Sequence, residues 1–502
     1  MIEWILSSEL IGALCAIHAI ATRRRESTGT LAWAAWVFVP FLGPALYLLL
    51  GTDRMGRRRR RRVKEIREQH RMHIEKSRER AKKHRAQIPP TIPFAISDQG
   101  LFPATFGNTA ETLLDTAEIL GRITVDVQSA ARTVDLQFYI IEDTHGTLEL
   151  KEALIGAMGR GVVVRVIYDA IGTRTDTRFV GDLRAAGAVC LEFIPVKPLK
   201  LRFRMGLRNH RKIVVVDGRI GYIGSLNLSE RANGHEEMRD IDVRIRGEVV
   251  SDLQRIFNED WRFGLAENQK VFLADTTDLT TFEKDLPIMD DPDVDGAECL
   301  QLVPSGPDDP AVGMMRMLVT AIHQAETSVD LATPYFIPPQ ALLGAIQSAA
   351  ARGVRVRILV PKKSDAWVVD IAMRLWVGLV LERDVEVRTH RADFHHEKFS
   401  VIDGRIAFIG SSNLDQRSAF LNFEADLVAY AGSLPPRLTQ YFSKRWKDSD
   451  PYKIPIWLLP RSVRSSLSES RAWVETGDKT PRWMWPFKRF LYRLVWLTSP
   501  LL

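Results

Sequence analysis

The sequence has 502 residues, of which 45% are apolar and 26% are charged. This composition is typical of a globular protein with two or three domains and excludes a disordered or collagen-like chain. The three cysteines show no Cys-x-x-Cys spacing, which excludes a disulfide framework and a cysteine zinc site. Residues 54–85 hold 16 Lys or Arg and 4 acidic residues, whereas residues 86–502 carry a net charge of −4. A nucleic-acid-binding body is therefore not expected.

Residues 1–53 contain two apolar stretches that predict membrane segments. Residues 5–21 are interrupted by Glu9 and His18, and residues 31–50 carry no charge. A helix of about 20 residues spans the hydrocarbon core of a bilayer, which is about 30 Å thick. A cleaved signal peptide for the first stretch and a buried soluble hairpin for the pair are the alternatives.

Two arginine clusters bear on the topology of these segments. Residues 23–25 lie between the segments and residues 57–62 follow the second one. The positive-inside rule favours a cytoplasmic position for both clusters, which two full spans cannot provide. A re-entrant hairpin at residues 40–44, which contain two prolines, would place both clusters on one side. Two spans and a hairpin anchor both remain open.

Residues 54–107 are interpreted as a polybasic juxtamembrane helix followed by a linker. Basic and acidic residues alternate at helical spacing up to residue 85, and prolines at 89, 90 and 93 end the helix. The segment fits a solvated helical linker, and it also fits a surface attracted to anionic lipid at about 1 kcal/mol per basic residue.

The remaining chain contains an internal repeat. Residues 108–270 and 298–450 share an apolar strand after Val-Asp-Leu, an amphipathic helix, an Arg-Gly-Val at 160–162 and 352–354, and an alternating strand. Strand, helix, strand is typical of a βαβ unit. An acidic stretch marks residues 271–297 as the linker. We therefore predict an α/β fold in which two repeats form one pseudo-twofold body.

Each repeat ends in a second match without gaps, at a constant offset of 186 residues. The first copy covers residues 209–230 and the second covers residues 395–416. Seven positions of the first copy recur in the second: His210, Lys212, Asp217, Gly218, Gly224, Ser225 and Asn227 correspond to His396, Lys398, Asp403, Gly404, Gly410, Ser411 and Asn413.

This pattern of residues fits a phosphodiester substrate. In a strand, residues two apart share a face, so each histidine lies beside its lysine. One imidazole can attack phosphorus while the other protonates the leaving alcohol. Lys212, Lys398, Asn227 and Asn413, with the Ser225 and Ser411 hydroxyls, would bind the phosphate oxygens. Asp217 and Asp403 begin hairpin turns, so a structural and a catalytic role are both open. No ligand set for a metal is present, because no further His or carboxylate stands at ligand spacing.

The paired His-x-Lys-x4-Asp with Gly-Ser-x-Asn resembles the phospholipase D superfamily over residues 108–450. Five further segments resemble bacterial cardiolipin synthases: residues 31–44, 168–172, 208–212, 333–338 and 413–424. The first copy departs from the pattern of these synthases with Gly-Ser-Leu-Asn instead of Gly-Gly-x-Asn, and with Met238 instead of Trp.

The resemblance implies a membrane phosphatidyltransferase that joins two phosphatidylglycerols into cardiolipin and releases glycerol. It implies a phosphatidyl-histidine intermediate, no cofactor, and a location in the bacterial inner membrane. By analogy His210 is the nucleophile and His396 the general acid, although the sequence does not order them. Asp240 and Glu424 match the acids that orient the imidazoles. The second phospholipid stays open, as does a phosphodiesterase that uses water as the acceptor.

Residues 451–502 form a tail that ends in an amphipathic segment. Between residues 483 and 502, Phe487, Phe490, Leu491 and Leu494 lie on one helical face, with basic residues off it. The segment is too short to span a bilayer, so an interfacial helix is predicted; docking on the catalytic body is the alternative.

Overall fold

The fold is described from a computed structural model. It describes residues 102–455 except 174–176, 196–206, 230–237, 267–270, 273–295, 308–312, 365–366, 382, 384 and 392–393, together with 10–14, 41, 68, 75, 78–79, 82 and 474–475. The predicted membrane segments, polybasic helix, linker and terminal helix therefore lie almost entirely outside the described residues and stay predictions.

The first half alternates strands and helices as the repeat predicts. Its elements are β1 (Thr105–Leu113), α1 (Thr116–Gln128), β2 (Thr133–Phe138), α2 (His145–Gly159), β3 (Val163–Asp169), α3 (Arg178–Ala185), β4 (Val189–Phe193), β5 (Arg208–Asn209), β6 (Ile213–Val216), β7 (Ile220–Gly224), β8 (Met238–Arg239), β9 (Asp242–Arg246), α4 (Glu248–Ala266) and β10 (Val271–Phe272).

The second half repeats this order. Its elements are β11 (Glu298–Ser305), α5 (Gly313–Gln324), β12 (Ser328–Ala332), β13 (Phe336–Ile337), α6 (Gln340–Ala351), β14 (Arg355–Val360), α7 (Trp367–Leu381), β15 (Glu386–His390), β16 (Phe394–His395), β17 (Phe399–Ile402), β18 (Ile406–Gly410), β19 (Leu414–Asp415), α8 (Gln416–Phe420), β20 (Asn422–Ala431), α9 (Leu434–Lys447) and β21 (Ser449–Pro451), followed by the short β22 (Ile454–Pro455) and β23 (Val474–Glu475).

Each half builds a mixed sheet with the same strand order. The first sheet runs β10-β4-β3-β2-β6-β7-β9-β1, with β4, β3 and β2 parallel and the other pairs antiparallel. The second runs β21-β15-β14-β12-β17-β18-β20-β11 in the same directions. The parallel strands are joined by helical crossovers, as parallel pairing requires. An antiparallel contact between β1 and β11 joins the two sheets.

The apolar core follows the alternation of the strands. In β6, Ile213 and Val215 face a core shared with the second half, whereas Val214 and Val216 face the first half's own helices. The shared core also contains residues of α4 and α9, so these two long helices lie between the sheets. The two halves are thereby one packed body.

The Val-Asp-Leu of each repeat places an aspartate in a buried ion pair. Asp135 binds Arg165 through two contacts of 2.7 Å, and Asp330 binds Arg357 through two contacts of 2.7 Å. Each guanidinium stacks on two aromatic rings of the long helix in its half: Phe257 and Trp261 in the first, Phe442 and Trp446 in the second. A two-pronged arginine pair of this kind tolerates burial because both partners are satisfied.

Candidate active site

The two His-x-Lys segments lie where the halves meet, and each is held by the opposite half. Strand β5 pairs with the start of β20, and the backbone N–H of His210 donates to the carbonyl of Phe423 at 2.9 Å. Strand β16 pairs with β8, and the N–H of His396 donates to the carbonyl of Arg239 at 3.1 Å. These short pairings place each histidine next to the acid of the opposite half.

The acids and the histidines are therefore exchanged between the halves. The Nδ1 of His210 contacts the carboxylate of Glu424 at 2.9 and 3.0 Å. The Nδ1 of His396 contacts Asp240 Oδ1 at 2.6 Å. A carboxylate at Nδ1 holds the proton there and leaves Nε2 available for chemistry. The structure thus brings together the predicted histidines with the predicted orienting acids and shows that each pair is formed across the halves.

The two acids differ in how many groups hold them. Glu424 accepts hydrogen bonds from Ser411 at 2.6 Å, Ser418 at 2.7 Å and Asn422 at 3.1 Å, in addition to His210. Asp240 accepts from Ser225 at 2.8 Å and from His396, both at Oδ1. Its Oδ2 is buried without a partner among the described residues. The charge of Asp240 is therefore shared among fewer hydrogen-bond donors than that of Glu424, and more of it acts on His396.

The hydroxyls of Ser225 and Ser411, for which the sequence predicts phosphate binding, contact the orienting acids in this structure. Each hydroxyl donates to an orienting acid and accepts from a backbone N–H: that of Ile241 for Ser225 and that of Ala425 for Ser411, both at 2.9 Å. Because each hydroxyl both donates and accepts a hydrogen bond in these contacts, the two serines position Asp240 and Glu424.

The lysines lie beside the histidines, as predicted. The Nζ of Lys212 donates to the carbonyl of His210 at 2.7 Å, and the Nζ of Lys398 donates to that of His396 at 2.8 Å. Lys398 Nζ also lies 3.1 Å from His396 Nε2. The residues from each histidine to strand β6 or β17 lie outside the ladder. The contacts place each ammonium group beside its histidine, and that of Lys398 at Nε2.

Burial governs the ionisation of the whole cluster. It lowers the pKa of Lys212 to about 7 and that of Lys398 to about 8, with Lys398 adding to the effect on Lys212. Burial also lowers the pKa of His210 to about 4, against the opposing charge of Glu424. The pKa of His396 is lowered by burial and by Lys398, with Asp240 opposing. Burial would raise the pKa of Asp240 and Glu424, but their histidines and the lysines hold both below the usual range.

Asn227 and Asn413 follow the serines and are buried at 3% and 4% exposure. In each, the amide oxygen has no hydrogen-bond partner among the described residues. An amide oxygen accepts hydrogen bonds and does not bind a phosphate oxygen, so phosphate binding by either asparagine would use its amide N–H groups and stays a prediction.

Asp217 and Asp403 lie at the far ends of β6 and β17, away from the histidines, where their contacts favour the structural alternative. Each takes a positive φ of 52° before a glycine at 67° or 66°, the geometry of a type I′ hairpin. The carboxylate of Asp217 accepts from three backbone N–H groups at residues 131–133, and that of Asp403 from three at residues 326–328. Both aspartates tie the hairpin to the start of the central strand.

Tyr139 is a site residue that sequence reasoning missed. Its ring meets that of His210 edge-on at 5.1 Å between centroids and lies 5.9 Å from Lys212 Nζ. A Cβ on Gly172 would lie 2.3 Å from the carbonyl oxygen of Tyr139, so this glycine is required for the contact. Segment 168–172 therefore supports the site because Gly172 leaves room for Tyr139. This glycine is the sequence feature that could have indicated Tyr139.

Among the described residues, no group of three or more His, Cys, Asp or Glu side chains could hold a metal ion. The positive charge next to the imidazoles comes from Lys212 and Lys398. The arrangement can bind an anion, attack it with one imidazole and donate a proton from the other.

A solved structure supports the fold assignment. The crystal structure of phosphatidylserine synthase from Haemophilus influenzae matches with a TM-score of 0.55 and 16% sequence identity, over 78% of this chain and 95% of that chain. The fold and the doubled His-x-Lys site define a phospholipase D-like enzyme.

Sequence comparisons identify the family within that class. A family model described as "Cardiolipin synthase, PLD-like domain" matches residues 123–261 and 318–446, and a "Phospholipase_D-nuclease N-terminal" model matches residues 10–51. The cardiolipin synthase of Geobacillus thermodenitrificans is 31% identical over 90% of this chain and 89% of its own length. The major cardiolipin synthase of Bacillus subtilis is 30% identical over 91% and 97%, and cardiolipin synthase A of Pseudomonas syringae is 34% identical over 84% and 86%. The chain belongs to the cardiolipin synthase family.

Proposed function

We propose that this protein is a membrane phosphatidyltransferase that joins two phosphatidylglycerols into cardiolipin and releases glycerol. The observation that carries the proposal is the pair of buried histidines, each bound at Nδ1 by the acid of the opposite half and flanked by a lysine. Family membership supports the phosphatidyltransferase class. The relatives' name, cardiolipin synthase, supports the product.

The reaction proceeds in two displacements at phosphorus. Nε2 of His210 attacks the phosphodiester of the first phosphatidylglycerol, and the bond from phosphorus to the glycerol oxygen breaks. His396 donates its Nε2 proton to that oxygen, and glycerol leaves. The phosphatidyl group rests on His210 until the hydroxyl of a second phosphatidylglycerol attacks it. His396, now neutral, removes the hydroxyl proton, and cardiolipin is released with both histidines restored.

The different settings of the two acids support this order. Glu424 shares its charge among four donors, so it stabilises a cationic His210 less, and the pKa of about 4 keeps His210 neutral for attack. Asp240 has fewer donors and a shorter contact of 2.6 Å to His396. Its charge therefore favours the imidazolium form from which His396 donates its proton.

Lys212, Lys398, Asn227 and Asn413 bind the non-bridging oxygens of the phosphodiester. An anion next to the two lysines raises their pKa values back toward the charged form, so binding and protonation support each other. In a buried site these charges stabilise the transition state more strongly than they would in water.

We place the enzyme in the bacterial inner membrane, anchored as multiple spans or as a hairpin by residues 1–53. In the described fragment 10–14, Leu10, Ile11 and Leu14 are helical and exposed, as lipid-facing residues are. Phe41, within the predicted helix break, has a positive φ of 60°. Within the described part of the chain, no helix has the length and apolarity of a membrane span. Partners are phosphatidylglycerol and other anionic lipids, not nucleic acid.

Product analysis tests the proposal. Purified full-length enzyme with phosphatidylglycerol in detergent should yield cardiolipin and glycerol in equal amounts, measured by mass spectrometry. Phosphatidic acid as the only lipid product would identify a hydrolase instead. The His396→Ala variant, prepared in the same way, controls for contaminating activity.

A further inference from the structure

A second pair of buried carboxyls lies directly beyond the orienting acids. Asp242 follows Asp240 by two residues at the start of β9, and Asp426 follows Glu424 by two within β20, where residues two apart share a face. Asp242 and Asp426 are 3% and 1% exposed. Unlike Asp240 and Glu424, neither forms an ion pair with any residue that the structure describes.

These carboxyls hold the turns that present the two asparagines. Asp242 Oδ1 accepts from the backbone N–H of Leu226 at 3.1 Å, immediately before Asn227. Asp426 Oδ1 accepts from the N–H of Ser412 at 3.1 Å, immediately before Asn413, and its Oδ2 lies 2.5 Å from the Ser412 hydroxyl. The same contact occurs in both halves, which ties it to the doubled site.

The glycines of the two Gly-Ser-x-Asn segments are explained by this contact. A Cβ on Gly224 would lie 2.1 Å from Asp242 Oδ1, and a Cβ on Gly410 would lie 2.5 Å from Asp426 Oδ1. The same Cβ would lie 2.3 Å from the carbonyl oxygen of Ile241 at Gly224 and 2.5 Å from that of Ala425 at Gly410, so a larger residue would displace the carboxyl and the adjacent backbone. The carboxyl and the glycine therefore form one positioning unit in each half.

The negative charges already present in the site disfavour ionisation of Asp242 and Asp426. Before His396 takes up the proton that it donates in the proposed reaction, the lysine cations at 212 and 398 face the orienting acids and Asp415, which is buried near Lys398. Ionised Asp242 and Asp426 would set five buried anions against two cations, in a site that must admit a phosphodiester anion. Burial raises the pKa of Asp242 to about 8, with Asp240 adding to it, and that of Asp426 to about 7, with Glu424 adding to it.

We propose that Asp242 and Asp426 are positioning residues that work as neutral carboxylic acids, each holding the asparagine turn of its half without adding negative charge to the phosphate site. The inference rests on the proposed function in that the site binds a phosphodiester. It divides four neighbouring acids into two classes: an ionised pair on the histidines and a protonated pair under the asparagines.

Matched substitutions two residues apart separate the classes. Asn can accept a hydrogen bond from the Leu226 N–H as a neutral carboxyl does, so Asp242→Asn should lower kcat/KM by less than about tenfold. Asp240→Asn should lower kcat/KM by about 10²-fold or more, because it removes the anion next to His396. Asp426→Asn and Glu424→Gln form the second matched pair. Asp242→Ala and Asp426→Ala, which cannot accept a hydrogen bond from the N–H, should each have a kcat/KM well below that of the corresponding Asn variant.

The protonation state can be read without substrate. Infrared spectra of the full-length enzyme at pH 6 should contain a protonated-carboxyl C=O band that fades by pH 10. The folded Asp242→Asn/Asp426→Asn variant should lose part of this band, since other buried carboxyls with a raised pKa, such as Asp252, also contribute to it. Circular dichroism checks the fold. Identical spectra of wild type and variant at pH 6, or an Asp242→Asn loss as large as that of Asp240→Asn, would overturn the inference. If the enzyme proves a hydrolase, release of phosphatidic acid replaces cardiolipin as the readout and the infrared test is unchanged.

Discussion

At the scale of single residues, the two histidines are alike in sequence but unlike in their surroundings. His210 faces a carboxylate held by three further donors and meets Tyr139 edge-on. His396 faces a carboxylate with one buried oxygen that has no partner among the described residues, and Lys398 contacts its Nε2. Two matching motifs thereby acquire different surroundings, which supports the different roles that we propose for the two histidines.

Because the two histidines act as a unit, removing either should abolish turnover. His210→Ala and His396→Ala should each lower kcat by about 10³-fold or more, and the double variant should be no slower than the worse single variant. Conversion of labelled phosphatidylglycerol to cardiolipin measures this. A single variant that retained more than a few per cent of wild-type activity would show that the histidines do not work as a pair.

Much of the site could be predicted from residue identity, and the failures have physical reasons. The histidines and lysines could be predicted because a doubled, gap-free motif repeats their chemistry, whereas the orienting acids lie outside that motif and follow from the family resemblance. The contacts of Ser225 and Ser411 with these acids could not be predicted, because a hydroxyl can serve an acid as readily as a phosphate. Tyr139 carries no motif of its own, since its role depends on a glycine 33 residues later in the chain.

At the scale of elements, the hairpin after each His-x-Lys segment is a support for the sheet. Asp217 and Asp403 each bridge to the residues that begin the central strands β2 and β12. The parallel strands of each half, with their helical crossovers, could be expected from the βαβ pattern. The short pairings β5–β20 and β8–β16 could not, because two-residue strands leave no periodicity in the sequence.

Substitution at these turns should affect stability and spare chemistry. Burial alone would raise the pKa of Asp403, but backbone N–H donors at residues 326–328 hold it below its ordinary value. The stabilisation is therefore present above the unfolded-state pKa of about 3.9 and is lost as pH falls through the lower folded-state pKa. Asp403→Asn should lower Tm by a few degrees at neutral pH, on the order of 1 kcal/mol, with the difference shrinking in acid.

Thermal unfolding followed by circular dichroism between pH 3 and pH 7 measures the effect of Asp403→Asn. Asp217→Asn provides the matched variant in the first half, and Asn suits the positive φ at both positions. Each variant should keep most of its activity when folded. An activity loss comparable to that of the histidine variants would return these aspartates to the catalytic group.

At the scale of the whole molecule, neither half contains a complete catalytic pair. His210 depends on Glu424 and His396 depends on Asp240, while the shared apolar core holds the halves in register. The repeat in the sequence predicts two similar halves and a pseudo-twofold relation. It does not say that their acids are exchanged, since each acid follows the histidine of its own half in the chain.

Because each acid contacts the histidine of the opposite half, substituting an acid should have a kinetic effect that pairing within one half would reverse. Glu424→Gln should slow formation of the phosphatidyl-enzyme by about 10²-fold with any leaving group, because the nucleophile loses its orienting acid. Asp240→Asn should slow it with phosphatidylglycerol but much less with a nitrophenyl phosphodiester, whose leaving group needs no proton. Single-turnover kinetics with both substrates distinguish the two arrangements, and the opposite pattern would assign each acid to the histidine of its own half.

The site of the covalent intermediate tests the central claim most directly. Full-length enzyme mixed with phosphatidylglycerol labelled in the phosphatidyl group is quenched within milliseconds, and the label is located by peptide mass spectrometry. The account predicts a phosphoramidate on Nε2 of His210, stable in alkali, labile in acid and missing from His210→Ala. A label on His396, a label that survives acid and is lost in alkali, or no label at any quench time would contradict it.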